Sequence, residues 1–303
     1  MKQKQISSSF LLAFAALIWG TAFVAQSVGM EFVGPFTFNS VRFILGGIIL
    51  IPVIYLFHRN DKINMDKEKA TPKDRKILLI GGICCGCALA VGSSLQQFGI
   101  LHTSVGKAGF ITALYIVIVP IFGLFLKKKV RFMVWISVMI ATIGMYLLSI
   151  TEGFHIGIGD LFVFLCAIAF SVHILLIDYF SPLIDGIKLS CIQFFVAGIL
   201  CGLPMLLFES PQLSSIVNAA VPILYTGIMS SGVAYTLQIV AQKNVNPVVA
   251  SLIMSMESVF AALSGWIILG ESLSTRELTG CTLVFVAIIL AQIPGFRKGA
   301  GGV

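Results

Sequence analysis

Two six-residue stretches, Val91-Gly92-Ser93-Ser94-Leu95-Gln96 and Val233-Ala234-Tyr235-Thr236-Leu237-Gln238, sit 142 positions apart and align glutamine on glutamine. The same offset carries Ala108 onto Ala250. An offset of 143 lays Gly144-Met145-Tyr146-Leu147-Leu148 over Ala287-Ile288-Ile289-Leu290-Ala291. Upstream, an offset of 151 pairs Ala15-Ala16-Leu17-Ile18-Trp19-Gly20 with Cys166-Ala167-Ile168-Ala169-Phe170-Ser171, and Arg42-Phe43 with Gln193-Phe194. A longer charged loop in the first half, His58 to Lys76, accounts for the change of offset. The chain is a weak internal repeat, split at 1–152 and 153–303.

The repeat is written in a very apolar chain. Of 303 residues 58% are hydrophobic and only 11% charged, against about 25% charged in soluble domains. Apolar residues form long runs: Ser9–Val28, Pro35–Phe57, Ile77–Leu101, Gly106–Leu126, Phe132–Ile150, Gly159–Phe180, Leu189–Phe208, Ala219–Gln242, Pro247–Leu269 and Leu278–Ile293. Most approach the ~20 residues a helix needs to cross a bilayer. They lack the alternation of a barrel, so the backbone satisfies itself as helix. The expected fold is an all-α polytopic membrane protein of ten transmembrane helices. The first run is longer than a signal-peptide core and has no convincing cleavage site before Glu31, so it is kept as a mature helix.

Charge sets the expected orientation. Seventeen of the 20 Lys and Arg fall in alternate loops or at the termini, leaving Arg42, Lys107 and Arg276 elsewhere. The positive-inside rule then puts both termini in the cytoplasm of a cell-membrane protein. The +7 net charge is a topology signal and no sign of a nucleic-acid partner. With five spans per half, the halves enter from opposite sides and the repeat is inverted. Equivalent residues then face opposite compartments. Gln96 lies near the outer end and Gln238 near the inner, an arrangement suited to two gates around one central site.

Polar groups within the spans are the candidate functional residues, because each is costly in hydrocarbon unless it faces a cavity or a partner. Glu257 is the deepest carboxylate. It reads as a solute contact or protonation switch, or as a packing acid held by neighbouring hydroxyls. Arg42 reads as a site for a solute carboxylate, as an outer gate, or as a snorkelling or paired base. His173 belongs to the residue type that changes charge near neutral pH, and reads as a proton relay or as a histidine bonded to a carbonyl. Lys107 opens the fourth span, at the interface. Trp19, Tyr115 and Tyr235 are aromatic and have Gln, Ser or Thr nearby. With Asn39, Ser93, Gln96, Thr112, Gln193 and Gln238 they describe a polar, roomy and mostly uncharged cavity for a flat or amphipathic organic molecule.

The seven cysteines lie inside apolar runs and read as packing residues; Cys84-Cys85-Gly86-Cys87 has no second cluster to complete a zinc site. Gly157-Ile158-Gly159-Asp160 reads as a turn entering the sixth span, and Pro120 as a kink in the fourth. There is no catalytic or phosphate-binding motif. Neither an enzyme nor a cofactor is expected.

These residues resemble a known family. Ile18-Trp19-Gly20-Thr21-Ala22-Phe23, Arg42, the run Lys107 to Tyr115 ending at Pro120, and Ala234 to Gln238 through Ala250 to Glu257 and on to Leu269-Gly270-Glu271 are similar to the drug/metabolite transporter superfamily, in its ten-helix EamA-type branch. Ser258 stands where that family usually has proline. The resemblance implies secondary transport of a small organic solute, amino acid-like or drug-like and more often outward, through a cavity between the halves. It also implies structural parts for Trp19 and Glu257. One chain holds both halves, so a monomer is expected, with protons as the candidate coupling ion. A membrane scaffold or sensor, or an embedded enzyme, are the competing classes.

Overall fold

The computed structural model describes residues 2–63, 71–103, 105–127, 130–149, 157–269 and 274–292. Within them, α1 (Lys2–Gly29), α2 (Pro35–Ile63), α3 (Pro72–Ile100), α4 (Val105–Thr112), α5 (Tyr115–Phe125) and α6 (Phe132–Ser149) form the first half. The second comprises α7 (Ile158–Phe180), α8 (Gly186–Phe208), the short α9 (Leu213–Asn218), α10 (Ala220–Tyr225), a π-helical stretch (Thr226–Tyr235), α11 (Thr236–Gln242), α12 (Pro247–Met254), α13 (Met256–Leu269) and α14 (Thr275–Gln292). Among the described residues nine helices or helix pairs are long and apolar enough to span a bilayer, and Phe132–Leu148 is a shorter apolar tenth. The protein is an all-α membrane bundle of two inverted five-helix repeats.

The offsets reappear in the helix boundaries. α2 and α8 begin 151 residues apart; α1 and α7 end 151 apart; α4 and α12 begin and end 142 apart; α6 and α14 begin and end 143 apart. The contacts are reciprocal as well. Ser40 Oγ donates to Gly198 O at 2.9 Å and Cys191 Sγ to Gly47 O at 3.6 Å, two bonds that exchange under the 151 offset. Phe43 and its repeat mate Phe194 stack on each other, centroids 6.1 Å apart and planes 7° from parallel. The α2–α8 seam is therefore an isologous interface inside one chain. α6 crosses α14 where a Cβ on Gly144 would lie 2.8 Å from Gly280 O and one on Gly280 2.5 Å from Gly144 O, so only glycine permits that backbone approach.

Several expectations change. The fourth and ninth runs are not continuous helices. The fourth breaks at Ala113-Leu114, where Leu114 N bonds Ile111 O and Ile116 N bonds Ala113 O, a tightened turn of i−3 bonds. Pro120 lies beyond that break, inside α5. The ninth breaks at Ser255, with Ser258 N on Ser255 O and Ser255 Oγ on Leu252 O. No proline is involved; Ser258 instead sends its hydroxyl to Gly109 O at 3.1 Å. The eighth run carries the π-helical stretch where its mate, α3, is regular. The charged loop is shorter than His58–Lys76, because α2 reaches Ile63 and α3 starts at Pro72, capped by Thr71 with a reciprocal Asp74 bond.

Gly157–Asp160 is more than a turn. Asp160 sits in the first turn of α7, accepts from Gly157 N and Thr103 Oγ1, and pairs with Lys107 Nζ at 2.5 Å. The 152/153 boundary, Glu152, Glu271, Lys67, Lys69, Lys128, Lys129, Arg297 and Lys298 lie outside the described residues.

Candidate functional site

The two broken helices meet at the pseudo-two-fold axis. Tyr115 is the first residue of α5 and Glu257 lies in the first turn of α13. Tyr115 OH donates to Glu257 Oε1 at 3.0 Å. A carboxylate in a helix's first turn is favoured by the free N–H groups and the helix dipole there, which helps to hold this acid 6% exposed inside the bundle.

A cavity surrounds this pair, lined by Trp19, Phe23, Gln26, Arg42, Gln96, Thr112, Tyr115, Phe170, His173, Ile174, Ser230, Tyr235, Gln238, Met254 and Glu257. Ten of these are five repeat-related pairs: Trp19 with Phe170, Phe23 with Ile174, Gln96 with Gln238, Thr112 with Met254, and Tyr115 with Glu257. The cavity thus straddles the axis that relates the halves. Apart from the two glutamines its pairs differ in residue type, so a symmetric frame encloses an asymmetric site.

One wall is aromatic. Trp19 and Tyr235 have ring centroids 4.8 Å apart, and His173 meets Tyr235 edge-on at 5.9 Å. Trp19 Nε1 has no hydrogen-bond partner among the described residues. His173 Nε2 lies 3.1 Å from Gln193 Oε1. The Gln193 carbonyl accepts from that nitrogen in the tautomer that protonates it.

Arg42 is the cation of the site. It is 2% exposed, donates Nη1 to Gln26 Oε1 at 3.1 Å, and lies over Phe43 at 4.7 Å and Phe38 at 5.6 Å. Among the described residues its Nε has no partner and no carboxylate is within ion-pair distance. Cation–π contact offsets part of the cost of burying it. The cavity therefore has a guanidinium from the first half and a carboxylate from the second, not paired with each other.

Nine of the twelve residues singled out from the sequence line this cavity. Asn39, Ser93 and Gln193 do not; all three are fully buried behind the wall. Gln193 touches the cavity wall through its contact with His173, and Gln193 and Ser93 are the repeat mates of Arg42 and Tyr235. Buried polarity is equally the mark of a wall residue and of its support, which is why the sequence does not separate them. Ile174, Ser230 and Met254 were missed. The repeat offset was a usable signal: applied to Trp19 it names Phe170, and applied to Thr112 it names Met254.

The model of the EamA-like transporter family matches residues 6–150 and again 157–292. An "uncharacterized transporter" of Archaeoglobus fulgidus is 29% identical over 96% of this chain and 87% of its own length. The "uncharacterized inner membrane transporter YedA" of Escherichia coli (strain K12) is 24% identical over 97% of this chain and 93% of its own. A solved crystal structure superposes with a TM-score of 0.74 at 17% identity, covering 94% of this chain and 96% of that one; it supports the fold alone.

Proposed function

Because the chain belongs to the EamA-like transporter family, we propose that it moves a small organic metabolite, amino acid-like or drug-like, across the cytoplasmic membrane by alternating access, in the direction of export. The observation that carries this reading is the cavity on the repeat axis. Five pairs of its wall positions are swapped by the pseudo-two-fold operation, so exchanging the conformations of the halves would open the same site to the other side.

The wall supports an organic solute. Aromatic faces at Trp19 and Tyr235 suit a planar or apolar moiety, and the glutamines supply neutral hydrogen bonds. Arg42 offers a place for a solute anion and Glu257 for a solute cation or a coupling proton. The solute leaves chemically unchanged. Charge placement supports cytoplasmic termini, and one chain suffices for the pathway.

Purified protein in liposomes preloaded with one solute tests this by counterflow of the labelled solute, screened across amino acids, nucleosides, vitamins and organic cations. Exchange above protein-free vesicles, lost in Tyr235→Ala, is the expected result. No exchange of any class, with correctly folded protein, overturns the reading.

A further inference from the structure

Beyond the cavity, one turn along α11 from Gln238, lies Gln242, 1% exposed and outside the cavity wall. Its Nε2 donates to Ile174 O of α7 at 3.0 Å, and its Oε1 accepts from Gln238 Nε2 at 3.0 Å. The carbonyl of Ile174 can only accept, so it fixes the orientation of both amides in the relay. Gln238 Oε1 is then left over, buried and without a partner among the described residues.

The relay has no counterpart at the other end of the bundle. Under the repeat offsets Gln242 becomes Ile100 and Ile174 becomes Phe23. Gln96, the mate of Gln238, donates instead to Thr112 Oγ1 at 3.3 Å.

We propose that the relay Gln238–Gln242–Ile174 O is a one-sided seal, closing the cavity toward the end of the bundle where α1 begins, with Gln242 as its positioning residue. Gln238 belongs to the cavity wall and to the seal at once. A solute donor that engages its free Oε1 therefore acts on the seal directly, and the seal must release for the cavity to open toward that end. This rests on the transport reading for its purpose but not for its test.

Hydrogen exchange of the full chain in lipid nanodiscs reads the seal without any solute. Gln242→Leu keeps the volume and removes both bonds. It is expected to raise exchange at least about fivefold, the factor for each net hydrogen bond lost, in α11 and the second half of α7, with α6 and α14 unchanged. Gln238→Leu leaves the bond to Ile174 O and gives a smaller rise in the same peptides. If the leucine variant fails to fold, Gln242→Glu keeps the acceptor for Gln238 but removes the amide donor, and should show the local rise. Unchanged exchange, or a uniform rise across all helices, overturns the seal. Counterflow on the same samples separates the two ideas. A local rise with no solute movement in the parent protein counts against transport alone. Transport in the parent with unchanged exchange in Gln242→Leu counts against the seal alone.

Discussion

Tyr115 and Glu257 are bonded to each other at 3.0 Å across 142 residues of chain, and 142 is also the offset that lays one position on the other. A contact between repeat mates lies on the pseudo-two-fold axis and maps onto itself when the halves exchange conformations. Contacts away from the axis, such as Lys107 with Asp160, map onto different residues, here Val249 and Ser9. The Tyr115–Glu257 bond is thus placed to persist through alternation while the ends rearrange around it.

Removing the hydroxyl and removing the charge should therefore separate. Tyr115→Phe leaves Glu257 Oε1 buried without its donor and should cost about 1–3 kcal/mol, read as a lower melting temperature. Glu257→Gln keeps an acceptor for Tyr115 and should change stability by less than about 1 kcal/mol. The same variant should lose gradient-driven accumulation and retain downhill counterflow. Intact proton-driven uptake in Glu257→Gln would remove this residue from coupling.

Arg42 predicts an opposition between stability and function. Among the described residues its guanidinium is buried with one hydrogen bond and no ion partner. Replacing buried ions by apolar groups of similar size is often stabilising, by about 1–4 kcal/mol where measured. Arg42→Met should raise the melting temperature and abolish counterflow. A variant that melts lower shows instead that the Gln26 bond and the Phe43 contact outweigh desolvation.

Glu209 closes one end of the α2–α8 seam. Its carboxylate accepts from Phe36 N, Thr37 N and Thr37 Oγ1 at 2.9, 2.8 and 2.6 Å, capping α2 from the end of α8. Losing a cap costs about 0.5–2 kcal/mol, so Glu209→Ala should lower the melting temperature by that equivalent. Exchange should rise first in the opening turn of α2.

Much of this frame was legible because inverted repetition leaves two traces in one sequence. Offsets read from Gln96 and Gln238, or from Trp19 and Phe170, return as helix boundaries. The breaks at Ala113-Leu114 and Ser255 were not legible. Each is a single tightened turn among residues that also suit a continuous helix, and Pro120 drew attention to the wrong position. In the cavity, Arg42, Gln238 and Glu257 were visible because polarity inside a span needs a reason. Ile174 and Met254 were not, since an apolar wall residue resembles every lipid-facing neighbour. Gln242 escaped because it lies at the end of its run, where polar residues are ordinary.

Gly20 sets how closely α1 approaches the charged centre. A Cβ there would lie 2.5 Å from Phe260 Cβ, 2.7 Å from Glu257 O and 2.8 Å from Ala261 N. Two of those atoms are backbone, so Gly20→Ala must push α1 and α13 apart, at a cost of about 1–3 kcal/mol. The repeat mate is Ser171, whose hydroxyl folds back onto Ala167 O at 2.7 Å, and α7 packs less extensively on α5 than α1 does on α13. Because Glu257 rides on α13, the displacement should also disturb the bond from Tyr115. Gly20→Ala should therefore lower both the melting temperature and the counterflow rate, whereas Ser171→Ala should cost no more than about 1 kcal/mol. Equal losses in the two variants would mean that the halves pack alike and that the tight α1–α13 contact has no special part in holding the site.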